Sequence, residues 1–190
     1  TGMVRDLKKL RPELDIGVHT TAEELWANNP YCEFRNLRDK YAQPIIINYE
    51  PWLNQANKDP TKMHFLGAMH KFAGRQLGID IPVTELRGDS HLSDAERESK
   101  PSIDKPYWII VCGGKTDFTT KWWNPNTAQK VVDHFAGKMH FVQIGEKSVP
   151  GIYPAHVHFP LNNVTNLIGK TSIRDLVRLV YHSQGVLCPV

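Results

Sequence analysis

Apolar and polar residues alternate in blocks along the second half of the chain. Helical patterns over 125–136 and 172–183 separate four apolar runs that predict strands, at 107–112, 139–144, 164–168 and 185–190. The first three runs end in glycine followed by polar residues. This repetition of strand, glycine and helix predicts an open parallel α/β sheet. In such sheets ligands bind beyond the carboxyl ends of the strands.

Local signals mark the starts of the two helices. Asn124 is a good N-cap, and Pro125 suits the first helical position. Ser172 and Asp175 have the spacing of a capping box. The apolar residues that then fall on one helical face are Ile173, Leu176, Val177 and Val180. The segment 150–161 has neither a strand nor a helix period and is predicted to be an irregular loop.

The first half of the chain predicts a second α/β region. Its first helix has Met3, Val4, Leu7 and Leu10 on one face. The elements expected in order are that helix up to Pro12, a strand over 15–20, a short helix opened by a capping box at Thr21–Glu24, a strand over 44–49, and a helix over 63–77 capped by Gly78.

A polar, charged and proline-containing stretch lies between the two regions, over 87–106. We therefore expect an α/β protein of two Rossmann-like domains, both incomplete. The predicted boundaries are 1–98 for a first domain that lacks its first strand, 99–106 for a linker, and 107–190 for a second domain truncated at its end. The chain begins at Thr1 within a helical pattern and ends on an apolar run, so we interpret it as a piece of a longer protein.

Composition narrows the classes of function. The 190 residues carry a net charge of +3 from 23 basic and 20 acidic residues, too weak and too evenly spread for a nucleic-acid partner. No run approaches the ~20 apolar residues of a membrane-spanning helix. The three cysteines lie far apart, which favours a reducing, cytoplasmic setting. Cys112 and Cys188 are expected in buried strands.

The loop after the first predicted strand is the best candidate for an anion site. Gly113 and Gly114 can bring backbone amides close to a phosphate. Cations and hydroxyls follow, at Lys115, Thr116, Thr119, Thr120 and Lys121. The sequence is neither a P-loop nor the glycine fingerprint of dinucleotide folds. The alternative is a solvated loop whose lysines bind nothing.

Two further strand ends add candidate ligand contacts. Glu146 follows the second strand and can accept hydrogen bonds from a ribose diol; the alternative is a charged turn. Lys170 and Thr171 follow the third strand. The alternatives are that Lys170 faces solvent and that Thr171 caps a helix. His156 and His158 could chelate a metal, but no third ligand is evident, so neither a metal nor another cofactor is expected. Trp122 and Trp123 could stack on a base, although one of such a pair is usually core.

Three segments resemble the ADP-heptose:lipopolysaccharide heptosyltransferases of glycosyltransferase family nine. Residues 113–123 are similar to the loop that binds donor phosphate, with its threonine-rich turn, lysine and tryptophan. Residues 166–180 are similar to a strand, turn and helix of the family with the pattern L-x-G-K-T-S-L. Residues 1–12 resemble the helix after the family's N-terminal loop. The similarity extends in order along the chain and is strongest over 107–190 and 1–20.

The resemblance implies a GT-B fold and metal-independent, inverting transfer of a heptose or related sugar. The donor would be a nucleotide-diphosphate sugar, and the acceptor a glycan or lipid-linked hydroxyl, which allows peripheral membrane association of the longer protein. Residues 1–98 would form the acceptor side. Matching positions imply that Lys121 binds donor phosphate with help from Thr116 or Thr120, that Glu146 holds the ribose, and that Lys170 and Thr171 border the adenine.

Two departures from the family pattern affect these implications. The loop that carries the family's catalytic carboxylate would precede Thr1. Cys188 and Pro189 stand where many members have an acidic turn of the donor site. The alternatives are a nucleotide-sugar epimerase or hydrolase of GT-B fold, and a non-catalytic α/β nucleotide-binding module.

Overall fold

The computed structural model describes residues 1–35, 44–47, 64–117, 122–151, 153 and 155–189. The chain divides into two compact units, unit 1 (Thr1–His91) and unit 2 (Leu92–Val190). Our predicted first domain extended to residue 98, whereas residues 92–98 belong to unit 2. The acceptor-side role of the first region and the donor-binding role of the second remain predictions.

Unit 1 is built on two packed helices. Its elements are α1 (Gly2–Leu10), β1 (Gly17–Val18), a short 3₁₀ helix (Glu23–Trp26), β2 (Glu33–Phe34) and α2 (Phe65–Leu77). The strands β1 and β2 pair in parallel. Leu7 of α1, Ala73 of α2 and Ile81 form a small buried apolar cluster. Gly78 ends α2 in the left-handed conformation, at φ 67°, which confirms the predicted cap.

A buried polar network connects α1 to the rest of unit 1. The Asp6 carboxylate accepts hydrogen bonds from Arg5, from His70 of α2 and from both the amide and the hydroxyl of Thr84. Arg5 also forms an ion pair with Asp89 at 2.8 Å. Burial alone would raise the pKa of Asp6, but the hydrogen bonds from Arg5, Thr84 and His70 outweigh it and hold the pKa far below its usual range.

Unit 2 contains a four-stranded parallel sheet. Its elements are α3 (Asp94–Glu98), β3 (Tyr107–Ile110), β4 (Gly114–Lys115), α4 (Pro125–His134), β5 (His140–Gln143), β6 (His156–Val157), β7 (Thr165–Asn166), α5 (Ile173–His182) and β8 (Gly185–Leu187). The sheet order is β7-β5-β3-β8, and every pairing is parallel. The predicted α/β fold class with parallel Rossmann-like strands is confirmed.

The two faces of this sheet bury different side chains, because successive residues of a strand point to opposite sides. One face packs Ile110 and Phe141 against Ala128 and Val132 of α4. The other packs Ile109 and Val142 against Leu179 of α5. The predicted caps hold both helices: Asn124 accepts from the Asn126 amide, and Ser172 forms a complete capping box with Asp175.

Four predictions were wrong in detail. The N-cap of the 3₁₀ helix is Ala22, which has no polar side chain, rather than Thr21, so the capping box at Thr21–Glu24 does not form. The strand predicted over 44–49 is absent at 44–47, and 48–49 lie outside the described residues. The loop predicted over 150–161 includes β6. Cys188 is exposed because β8 ends before it, whereas Cys112 is buried as predicted.

Candidate site at the carboxyl edge of the unit 2 sheet

The strand order of unit 2 brings several loops together at the carboxyl ends of the parallel strands, which we call the carboxyl edge of the sheet. The first strand of the sheet, β3, lies between β5 and β8, so the order reverses at this point. In parallel sheets such a reversal opens a crevice at the carboxyl ends of the strands, and ligands bind there. Three predicted site segments follow strands at this edge: 113–116 after β3, 145–146 after β5, and 169–171 after β7.

The first loop is held by an antiparallel pair that sequence analysis did not predict. The strands β4 and β6 pair Gly114 with Val157 and Lys115 with His156. A Cβ at Gly113 would lie 1.9 Å from the Val157 carbonyl oxygen, so only glycine fits there. The Thr116 amide donates to the Ala155 carbonyl at 2.9 Å, and its hydroxyl accepts from the Ala155 amide.

These contacts change what the first loop offers a ligand. The Thr116 amide already has a backbone partner, so it is not an unpaired donor for a phosphate. Lys115 is exposed and carries a positive charge at the same edge. Trp122 donates from its indole nitrogen to the Lys115 carbonyl at 3.1 Å, while Trp123 packs against the apolar face beneath α4. Of the pair, Trp123 is therefore the one that packs against the core, although it is only partly buried.

The second loop presents a carboxylate with a histidine partner. Glu146 lies 2.8 Å from the Nδ1 atom of His156, and its side chain is 67% exposed. His158 lies against Gly145, where an added Cβ would be 2.4 Å from its imidazole ring. Burial lowers the pKa of His158, and the nearby His156 lowers it further. Neither ring nitrogen of His158 has a hydrogen-bond partner within the described part of the chain.

The third loop lies against the second. The Gly169 amide donates to the Gly145 carbonyl at 2.8 Å, and Gly169 has a φ of 66° that favours glycine. The ammonium of Lys170 donates to the Asn166 carbonyl at the end of β7, at 2.9 Å. Thr171 precedes the N-cap Ser172, so the hydroxyl that caps α5 belongs to the serine.

The structure brings most of the predicted site residues close together and does not describe the others. The segment 155–157 contacts the first loop, at Gly113, Gly114, Lys115 and Thr116, and its His156 contacts Glu146. Gly169 connects the third loop, with Lys170 and Thr171, to the loop that contains Glu146. Thr120 and Lys121 lie outside the described residues. Their binding roles all stay predictions.

Sequence analysis did not identify His156 as the partner of Glu146. The His-x-His spacing gave a signal, because alternate residues of a strand share a face, but nothing in the sequence identified the partner strand. Within the described ranges, no group of three or more His, Cys, Asp or Glu residues is positioned to hold a metal ion. Those ranges also contain no helix that is both long and apolar enough to cross a membrane.

Comparison with known proteins yields a structural neighbour. No family model and no curated protein matches the chain. Its fold is similar to that of the bacterial iron-containing dodecameric glycosyltransferase TibC from enterotoxigenic E. coli H10407, with a TM-score of 0.58 and 17% sequence identity. The match covers 97% of this chain and 47% of that chain, so this chain spans about half the length of its neighbour. At this identity the likeness shows a shared fold.

Proposed function

We propose that this chain belongs to a glycosyltransferase that uses a nucleotide-diphosphate sugar, and that the carboxyl edge of unit 2 binds the donor. The observation that carries the proposal is the convergence of three predicted site loops at one sheet edge, beside the point where the strand order reverses. The likeness of fold to TibC over nearly the whole chain supports glycosyl transfer as the reaction.

The side chains at this edge suit two parts of a nucleoside diphosphate, its phosphates and its ribose. Lys115 supplies positive charge for phosphate oxygens, and charge-assisted hydrogen bonds are about twice as strong as neutral ones. Lys170 and Thr171 would border the base. Glu146 supplies an acceptor for ribose hydroxyls. In the reaction Lys115 and Lys121 would stabilise the nucleoside diphosphate as it leaves the sugar. The proposed sugar is a heptose or a relative of it, and the proposed acceptor is a glycan or lipid-linked hydroxyl.

The proposal does not extend to the iron or the dodecamer named for TibC. The described residues lack a group of three ligands for a metal ion. We expect nucleotide binding to survive treatment with EDTA, measured by calorimetry before and after chelation. Binding that disappears in EDTA and returns with Mg²⁺ or Mn²⁺ would contradict a metal-independent donor site.

Titration of the chain with ADP, GDP, UDP and CDP tests the proposal. At least one of them should bind roughly tenfold more tightly than inorganic pyrophosphate, because base and ribose add contacts. The tightest nucleotide is then supplied as its diphosphate sugars, and products are separated by mass spectrometry. Sugar transfer to an added glycan supports the proposal. Release of free sugar indicates a hydrolase, isomerised donor an epimerase, and binding without turnover a binding module. Absence of nucleotide binding would overturn the donor site.

A further inference from the structure

The contact between Glu146 and His156 constrains both partners. The Nδ1 atom of His156 lies 2.8 Å from Oε2 of Glu146. Glu146 belongs to the loop after β5, and His156 belongs to β6, so the contact joins two separate segments of the edge. The His156 side chain is only 23% exposed, and β6 is itself fixed by its pairing with β4.

The pair restricts a side chain that would otherwise be mobile. An exposed glutamate samples many rotamers, and ordering it on a ligand costs conformational entropy. The contact with His156 involves one carboxylate oxygen, Oε2, and Oε1 remains to accept from a ligand. Lys115 stands opposite His156 in the β4–β6 pair, on the strand next to this contact.

The surrounding groups favour a hydroxyl-bearing ligand at Glu146. A carboxylate repels a phosphate, but it accepts hydrogen bonds from two neighbouring hydroxyls with its free lone pairs. His158, which follows β6, is half-buried with its ring against Gly145, and burial lowers its pKa. It therefore adds no competing cation at neutral pH, and the partner of the carboxylate is His156.

We propose that His156 is a positioning residue that holds Glu146 in the orientation that recognises a vicinal diol, the ribose 2′- and 3′-hydroxyls of the bound nucleotide. This inference rests on the proposed function, since it assigns a specificity element to the same edge. It separates two tasks: Lys115 attracts the diphosphate of any nucleotide, and the Glu146–His156 pair distinguishes ribose from a sugar without the diol.

The test compares the tightest-binding nucleoside diphosphate with its 2′,3′-dideoxy analogue by calorimetry. The parent chain should prefer the ribonucleotide roughly tenfold, as expected for the loss of charge-assisted hydrogen bonds. In His156→Ala the preference should fall to about twofold or less. His156→Asn should retain most of it, because an asparagine amide nitrogen can replace Nδ1 as the donor to Glu146. Lys115→Met is the matched control and should weaken both nucleotides equally.

Each result decides for or against His156. A preference that persists in His156→Ala, or that is lost equally in His156→Asn, overturns the positioning role. Equal weakening of both nucleotides in His156→Ala makes the histidine a purely structural residue and also overturns it. A parent chain that binds both nucleotides equally overturns the diol assignment while leaving the proposed donor site intact. A parent chain that binds neither nucleotide overturns the proposed function and this inference with it.

Discussion

The interior of unit 1 contains ionised side chains, whereas the interior of unit 2 consists of two apolar layers on a parallel sheet. Of the described residues, the buried charged side chains are Arg5 and Asp6, and His70 is buried beside them, all in unit 1. The described part of unit 2 buries uncharged polar side chains, among them Tyr107 and Gln143. The Tyr107 hydroxyl donates to the Leu179 carbonyl, and Gln143 donates from its amide nitrogen to the Phe159 carbonyl and accepts at its amide oxygen from the Leu161 amide. Among the described residues, the buried apolar cluster of unit 1 is also smaller than either of the two clusters of unit 2.

An arginine and a carboxylate meet in both units, but in different surroundings. In unit 1 the Arg5 and Asp6 side chains are 3% and 0% exposed. In unit 2 the pair joins Arg174 of α5 to Glu96 of α3, with exposures of 16% and 23%. Water screens the second pair far more than the first. The comparison indicates that unit 1 depends on a polar network for its tertiary structure, whereas unit 2 depends on burial of its sheet.

The largest expected effect follows from removal of the carboxylate at the centre of the unit 1 network. Asp6→Ala leaves the Nε–H group of Arg5 and the donors of His70 and Thr84 buried without their acceptor. We expect unit 1 to lose about 3–5 kcal/mol of stability. Hydrogen exchange of peptides from α1 and α2 should accelerate accordingly.

A matched control isolates the effect of burial. Asp15 pairs with Arg35 at 2.6 Å, but its side chain is 68% exposed. Asp15→Ala should change stability by less than about 1 kcal/mol. Similar exchange rates in the two variants would refute the contrast between the units.

The second effect concerns the close backbone approach in unit 2. Gly113→Ala would place a Cβ 1.9 Å from the Val157 carbonyl oxygen, so the β4–β6 pair must shift. We expect a loss of about 1–3 kcal/mol, typical of overpacking, measured by urea unfolding. Gly114→Ala serves as the control, because its nearest contact is 3.4 Å away, at the Trp122 indole nitrogen. Equal stability of the two variants would show that the turn adapts freely.

The two units also differ in how much of each could be predicted from sequence. In unit 2 the apolar runs predicted β3, β5, β7 and β8, because a parallel strand buried on both faces reads as a continuous apolar segment. The capping box at Ser172–Asp175 was equally readable, since it is a local pattern.

What sequence could not supply were contacts between distant segments. The network around Asp6 joins Arg5 to His70, Thr84 and Asp89, residues with no periodic relation along the chain. The pairs β1–β2 and β4–β6 have two residues in each strand, too few for a recognisable alternation. The site was predicted as three separate loops for the same reason: the partner of Glu146 lies on a strand whose pairing is tertiary.

The third effect tests binding at the edge of unit 2. Lys121→Ala should weaken binding of the nucleoside diphosphate roughly 10- to 100-fold, because it removes charge-assisted hydrogen bonds to phosphate. The free energy of unfolding without ligand should change by less than about 1 kcal/mol. Lys9→Ala, an exposed lysine of α1, should leave affinity unchanged in the same calorimetric titration. Equal affinity of Lys121→Ala and the parent would identify Lys121 as a solvated lysine of the loop.

The smallest effect is the pH dependence of the partly exposed pair in unit 2. The hydrogen bond from Arg174, followed by those from Ser93, lowers the pKa of Glu96 to about 2. A carboxyl whose pKa is depressed on folding stabilises the protein above its unfolded pKa, near 4.5. That contribution is lost as the pH falls towards 2. Because water screens the pair, we expect it to amount to no more than about 1 kcal/mol.

Glu96→Gln isolates this contribution. The variant should be slightly less stable than the parent at pH 7, and the difference should shrink as the pH falls from 4.5 towards 2, since only the parent loses an ionised Glu96. Urea unfolding midpoints at pH 7, 5, 4 and 3 measure the difference. Asp94→Asn is the control on the same helix, because Asp94 meets Arg97 with a side chain that is 92% exposed. A difference between Glu96→Gln and the parent that stays constant across this pH range would mean that Glu96 stabilises α3 through its capping geometry rather than through its charge.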